Sequence, residues 1–329
     1  MVIGVGAFGR NHARVYKQLE QAGEPVRLVG VVDPDLLRAD SAAREFGCRS
    51  FGSLEQLLTT HSEVQAASVA VPTVHHTKAA LALMEAGVDV LIEKPVAATL
   101  AEADQLIAVA RNRQRIAQVG HLERFNPAVR ATIPLLTQPM FFEVHRLSVF
   151  TPRALDVDVV LDLMIHDLDV VLSFVDSPVR ELRAVGLPIL SGKTDIANVR
   201  LEFESGCVAN FTASRVSTER IRKLRFFQPR QYVSIDYGRQ DLIVFTVGAD
   251  PASGATPSVN PQIGMVKPPV QQEEPLAAEL RSFLAAVRRS STPVVSLEDG
   301  RRALALALEI VADIQKHGNR INLESLARS

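Results

Sequence analysis

Several things that would mark a secreted, membrane-bound or nucleic-acid-binding protein are scarce in this chain. Only two cysteines occur in 329 residues. Cys48 and Cys207 lie far apart and outside any CxxC spacing, which argues against a disulfide framework or a zinc knuckle. Charge of one sign is also lacking: 36 Lys+Arg stand against 37 Asp+Glu, a formal net charge of -1. A nucleic-acid or membrane-surface partner would call for a basic face. No apolar run reaches the roughly 18 residues of a transmembrane helix. The first residues, Met1-Val2-Ile3-Gly4-Val5-Gly6, enter an apolar strand instead of a signal peptide, and a cytoplasmic location is expected. No internal repeat or low-complexity tract is seen.

What is present has the composition of a globular protein, 47% hydrophobic and 22% charged. At about 150 residues per domain the length suggests two domains. Residues 1–120 alternate short apolar bursts (26–33, 67–71, 88–93, 116–120) with helical stretches (10–21, 36–46, 54–60, 74–86, 100–113). Bursts with little alternation suit strands buried on both faces of a parallel sheet. Thr99 and Glu102 read as a capping box, and Gly87 as a helix stop. Repeated βα units predict an α/β, doubly wound Rossmann-type sheet.

After Gly120 the rhythm changes. A helix at 127–136 and a strand at 141–147 precede one long helix, 156 to about 175. Alternating strands follow at 180–186, 197–204, 207–214, 222–227, 232–236 and 242–247, with Glu204-Ser205-Gly206 as a hairpin turn. Residues 248–275, rich in Pro, Gly, Ser and Ala, read as a long loop, and helices at 275–289 and 297–317 close the chain. Residues 121–329 are therefore expected to form an α+β domain on an open, mostly antiparallel sheet. One face of that sheet needs cover, which predicts a homodimer or homotetramer.

Gly4-Val5-Gly6-Ala7-Phe8-Gly9 is a GxGxxG between an apolar strand and a helix. The first glycine permits the tight turn, the second lets backbone approach a pyrophosphate, and the third allows close helix–strand packing. The helix N-terminus then supplies free N–H groups to the phosphates. Asp33 ends the second strand, where a carboxylate accepts from free ribose hydroxyls and repels a 2′-phosphate. NAD is expected in preference to NADP, with Arg38 nearby able to soften the choice.

Glu93-Lys94-Pro95 closes another strand, at the carboxyl edge where open α/β sheets bind ligands. A lysine there suits orienting a substrate hydroxyl and stabilising negative charge on its oxygen; a surface lysine in a βα loop is the plainer reading. On the second-domain helix, Asp162, His166 and Asp169 fall on one face, with Val159, Val160, Leu163, Val170 and Val171 opposite. His166 suits taking an alcohol proton, and Asp162 one turn away suits fixing its tautomer. A satisfied core histidine, or three ligands to a metal, would fit the same pattern.

Together these residues resemble the Gfo/Idh/MocA oxidoreductases: GVGAFGRNH at the start, VPT-x-H-H at 71–76, EKP at 93–95 and the Asp162-x-x-x-His166 helix. The resemblance implies nicotinamide-dependent oxidation or reduction at a ring carbon, with no metal. By matching motif, Lys94 would be the EKP lysine, and Asp162 and His166 the acid–base pair. Val71, Pro72, Thr73 and His76 would run past the cofactor, and Glu93 would lie near the nicotinamide ribose. The open sheet often packs against another subunit in that family.

Where many sugar-dehydrogenase members have glycines before the Asp-x-x-x-His helix, this chain has Asp158-Val159-Val160-Leu161. That departure argues against a monosaccharide or inositol substrate. The linker Gly120-His121-Leu122-Glu123-Arg124-Phe125-Asn126-Pro127 and the later Thr151-Pro152-Arg153 are similar to the UDP-N-acetylglucosamine 3-dehydrogenase-like branch. The resemblance implies a nucleotide-sugar substrate oxidised at C3. Arg124 and Arg153 would meet diphosphate or sugar, and Asn126 a sugar hydroxyl or the cofactor amide. An interdomain Glu123–Arg124 ion pair and a simple helix start at Asn126 are the structural alternatives. A free sugar, an inositol, another NDP-sugar, or a non-catalytic NAD-binding regulator are the rival functions. Of the remaining histidines, His12 is expected to pack or cap.

Overall fold

A computed structural model describes residues 1–60, 63–151, 157–248 and 263–320. The chain forms two compact units. The first is Met1–Phe125 with Glu273–Leu304, and the second is Asn126–Gln272 with the chain from Ala305. The expected boundary at 120/121 thus moves a few residues on, and 273–304 returns to the first unit.

The first unit holds a six-stranded parallel sheet: β1 (Val2–Ile3), β2 (Gly30–Val32), β3 (Arg49–Phe51), β4 (Ala66–Val69), β5 (Asp89–Glu93) and β6 (Ala117–Gly120). Its order is β3-β2-β1-β4-β5-β6. Chain order reverses between β1 and β4, so the crevice at their carboxyl ends is the switch point where such sheets bind ligands. The helices are α1 (Ala7–Gln21), α2 (Leu36–Phe46), α3 (Leu54–Thr60), α4 (His76–Glu85) and α5 (Leu100–Asn112). Thr99 and Glu102 form the expected capping box, and Gly87 follows α4 with φ +84°.

Two strands differ from the sequence reading. β3 was not predicted, because Arg49-Ser50-Phe51 has too few apolar residues to announce an edge strand. The apolar burst 26–33 contributes only three residues to β2. Helix α8 (Pro275–Arg289) buries Leu276, Leu280, Phe283 and Leu284 in one cluster with Val15, Tyr16 and Leu19 of α1. That apolar face explains why 273–304 joins the first unit.

The second unit is built on an eight-stranded sheet. After α6 (Pro127–Thr132) come β7 (Phe141–Val149), α7 (Ile165–Phe174), β8 (Val179–Leu187), β9 (Ile196–Phe203), β10 (Val208–Ser217), β11 (Ile221–Gln228), β12 (Gln231–Asp236), β13 (Asp241–Val247) and β14 (Ile263–Val266). The order is β14-β13-β12-β11-β7-β10-β9-β8. Only β7 and β10 pair in parallel; every other neighbour is antiparallel. β14 lies within the stretch read as a loop, since Ile263-Gly264-Met265-Val266 is fully exposed and shows no burial alternation. Helix α9 (Leu297–Arg320) ends the described chain.

One face of this sheet is core. Phe174 of α7 meets Phe142 and Phe226 at ring distances of 6.5 and 6.1 Å. On the other face, Phe141, Phe227, Tyr232 and Phe245 stand opposite one another across β7, β11, β12 and β13. Neighbouring rings in this row lie 5.8, 4.8 and 5.4 Å apart, and Phe227 is 41% exposed.

Candidate active site

The glycines of the first turn have different physical tasks. Gly4 has φ +83°, and a Cβ there would sit 2.8 Å from the Ala70 carbonyl oxygen. A Cβ on Gly9 would fall 1.8 Å from the Gly4 carbonyl oxygen, so α1 can approach β1 only over a bare residue. Gly6 is different: its backbone is ordinary, and a Cβ there would meet nothing within 4 Å. No described residue therefore fills the space over Gly6. α1 begins at this point with no side chain capping its N-terminus and no acidic residue in its first turn. Free N–H groups facing open space fit a diphosphate. Ala7 and Phe8 are exposed at the same turn.

Asp33 is buried just beyond β2. Its Oδ2 accepts the Val5 N–H at 2.9 Å and its Oδ1 accepts the Asp35 N–H at 3.0 Å. The carboxylate is thus pinned to the glycine turn itself. Arg38 lies 3.4 Å from Asp33 and 3.2 Å from Asp35, so its guanidinium is held between two acids. These features fit a nicotinamide dinucleotide.

The segment expected to pass the cofactor follows β4. Thr73 opens a short 3₁₀ turn, and Pro72 is its cap residue. His76 is buried, with Nδ1 and Nε2 each 2.9 Å from a carbonyl oxygen, of Pro95 and Val71 respectively. Burial lowers its pKa below the ordinary imidazole range, and the two carbonyls work against that. Its ring lies between residues 71–76 and the EKP turn, where Lys94 is half-buried.

Glu93 is buried, and both its oxygens are engaged inside this unit. Oε1 accepts from His12 Nε2 at 3.0 Å, and Oε2 accepts the Lys94 backbone N–H at 3.3 Å. His12 packs as expected, fully buried, and it also pairs with the glutamate of the EKP motif. The signal was legible as periodicity, because Gly9, His12, Ala13 and Tyr16 form the buried stripe of α1. Arg124, also in the first unit, donates to the Val294 carbonyl at 3.3 Å and lies 3.8 Å from Asp299.

In the second unit the helix expected from residue 156 is two segments. Val160–Met164 is a π-helical turn, and α7 continues from Ile165. The π turn runs through Asp162 and the α-helix carries His166, so the two residues stand on either side of the junction. Such turns are frequent at functional sites. Asp162 and His166 are both half-buried, whereas Asp169 is buried. Of the residues placed on the opposite face, Val159, Val160, Val170 and Val171 are buried and Leu163 is half-buried. Among the described residues no group of three His, Cys, Asp or Glu side chains is arranged to hold a metal ion.

Two buried pairs brace this region, and neither was anticipated. Arg146 donates to both oxygens of Asp167 at 2.6 and 2.9 Å and lies over the Tyr237 ring. Arg215 donates to Asp195 at 2.8 Å. Burial raises the pKa of Asp195, but hydrogen bonds from Ser191 and from the N–H groups of Leu190, Ser191 and Ile189 outweigh it and hold the carboxyl well below the usual range. Asn126 is buried with both ends of its amide occupied: it caps α6 through Ala128 and donates to the Tyr237 carbonyl at 3.1 Å. Arg153 lies outside the described residues.

Comparison with known proteins bears on the family and the fold. The model of the GFO/IDH/MocA oxidoreductase family, NAD-binding Rossmann fold, matches residues 1–121, and that of the GFO/IDH/MocA C-terminal domain matches 138–232. A UDP-N-acetylglucosamine 3-dehydrogenase of Acidithiobacillus ferrooxidans is 37% identical, covering 94% of this chain and 95% of that protein. Its crystal structure superimposes with a TM-score of 0.86 at 35% identity, over 96% of this chain and 97% of the other. A scyllo-inositol 2-dehydrogenase (NAD(+)) of Bacillus subtilis is 26% identical over 66% of this chain and 67% of its own length.

Proposed function

The chain belongs to the Gfo/Idh/MocA family of NAD-binding oxidoreductases, and from that premise we propose that it oxidises the C3 hydroxyl of UDP-N-acetylglucosamine to a 3-keto sugar with NAD. The observation that carries the substrate is the 37% identity over nearly full length to an enzyme of that name. The linker residues 120–127 and the absence of glycines before the Asp162 helix point the same way. NAD over NADP rests on Asp33, whose buried carboxylate is fixed beside the glycine turn.

Gly6 and the N-terminus of α1 hold the diphosphate, and Asp33 accepts from the adenosine ribose hydroxyls. When bound, NAD supplies the acceptor for the hydride that leaves C3. Lys94 polarises the C3 oxygen, His166 takes its proton, and Asp162 supports the imidazole that becomes charged. Val71, Pro72, Thr73 and His76 line the cofactor's path, Arg124 and Arg153 contact the nucleotide sugar, the buried Asn126 fixes the start of α6, and Glu93 serves the ribose end by fixing the turn that carries Lys94. The sugar nucleotide is met in the cytoplasm, and the aromatic row on the open sheet is covered by a second copy of the chain in a homodimer or homotetramer. Light scattering that gives a monomer mass would remove that last assignment.

Lys94→Ala and His166→Ala should keep the fold and NAD affinity while losing turnover by roughly a hundredfold or more. Parent-level turnover by both variants contradicts these roles.

A further inference from the structure

The His12–Glu93 contact is a buried polar pair that links the helix of the glycine turn to the EKP turn. Three elements meet there. His12 lies on the second turn of α1, Glu93 is the last residue of β5, and Gly120 is the last residue of β6. A Cβ on Gly120 would stand 2.7 Å from Glu93 Oε1, so the bare residue on β6 makes the room the carboxylate occupies. His12 is fully buried, and its Nδ1 has no hydrogen-bond partner among the described residues. All of its polar interaction therefore runs through Nε2 to Glu93. The sheet does not require this pair, since β5 is already hydrogen-bonded to β4 and β6 along its length. What the pair fixes is the second oxygen of Glu93, which receives the Lys94 N–H.

We propose that His12 is a positioning residue: acting through Glu93, it sets the backbone at Lys94 and with it the placement of the amine that polarises the substrate oxygen. This rests on the functional reading above. A buried carboxylate deprived of its donor is costly to leave in place, so without His12 the Glu93 side chain should turn away and release the Lys94 N–H. Misplacing a catalytic group by about 1 Å is worth on the order of a hundredfold in rate.

The test compares His12→Ala, His12→Asn and His12→Gln with the parent. Asparagine is polar but too short to reach Glu93, whereas glutamine carries an amide N–H far enough out to replace Nε2. Two quantities are read in the full-length enzyme saturated with NAD: hydrogen exchange of the Lys94 amide, and steady-state turnover of UDP-N-acetylglucosamine. His12→Ala and His12→Asn should speed exchange by about tenfold and lower kcat by about a hundredfold. KM and NAD affinity should stay within about threefold, and His12→Gln should recover most of both losses. Circular dichroism melts establish folding, and if the alanine variant does not fold, the asparagine and glutamine pair decides. A folded His12→Asn with parent exchange or parent kcat overturns the proposal. So does a loss of kcat that merely follows loss of NAD affinity. Should the parent itself fail to oxidise the sugar nucleotide, the substrate assignment falls, and exchange at Lys94 still decides whether His12 sets that turn.

Discussion

Asp33 does two jobs with one carboxylate. Its oxygens already accept the Val5 and Asp35 N–H groups, and in the proposed binding mode the same carboxylate would face the adenosine ribose. A 2′-phosphate there would meet a fixed anion, with the cationic neighbour Arg38 shared between Asp33 and Asp35. Asp33→Asn removes the repulsion while keeping one acceptor. The ratio of NADP to NAD dissociation constants, measured by calorimetry, should fall by at least about tenfold, or 1.4 kcal/mol. An unchanged ratio would detach cofactor choice from this residue. Cys48 and Cys207 show the opposite behaviour. Burial raises both thiols to about 11, which leaves them protonated and inert near neutral pH.

Among the elements, the β1–α1 unit separates what the fold needs from what the ligand needs. Gly9→Ala forces a Cβ onto the Gly4 carbonyl and should destabilise the protein by about 3 kcal/mol, because backbone cannot yield as a flexible side chain would. Gly6→Ala adds a Cβ into unused space. Its unfolding should stay within about 0.5 kcal/mol of the parent, while NAD binds at least about tenfold more weakly. Thermal melts with and without NAD distinguish the two. Equal destabilisation of the apo protein by both would refute the division.

This unit was also the most legible part of the sequence, because GxGxxG, the strand before it and the acid after β2 are all local signals. α2, α3 and α8 were readable to the residue from apolar spacing and capping. Less was visible where structure depends on distant partners. β3 and β14 are short and lack an alternating apolar pattern. The π turn at Val160–Met164 has the same apolar content as an α-helix. Of the proposed site, the motif residues Lys94, Asp162 and His166 were named from the chain. The contacts His12–Glu93, Arg146–Asp167 and Arg215–Asp195 join residues 20 to 81 positions apart, and no local pattern announces them.

At the scale of the whole molecule, the two units bring different chemistry. The parallel sheet offers its switch point, a bare helix N-terminus and a ribose acid. The second unit offers the half-buried Asp162 and His166 on a braced π-to-α junction, together with a wide sheet whose outer face carries an aromatic row. No helix among the described residues is long and apolar enough to cross a membrane. Membership of an oxidoreductase family, and identity to a nucleotide-sugar dehydrogenase along almost the entire length, make the reaction itself the central claim. Oxidation of an alcohol by NAD is uphill near neutral pH, so the product must be captured. The decisive measurement is incubation with UDP-N-acetylglucosamine and NAD in the presence of a carbonyl trap, followed by mass spectrometry with the trapped position mapped by fragmentation. The account predicts a trapped nucleotide sugar with its carbonyl at C3, formed by the parent and not by Lys94→Ala. Absence of any trapped nucleotide sugar while NAD binding is intact, or a carbonyl at another carbon, would contradict it.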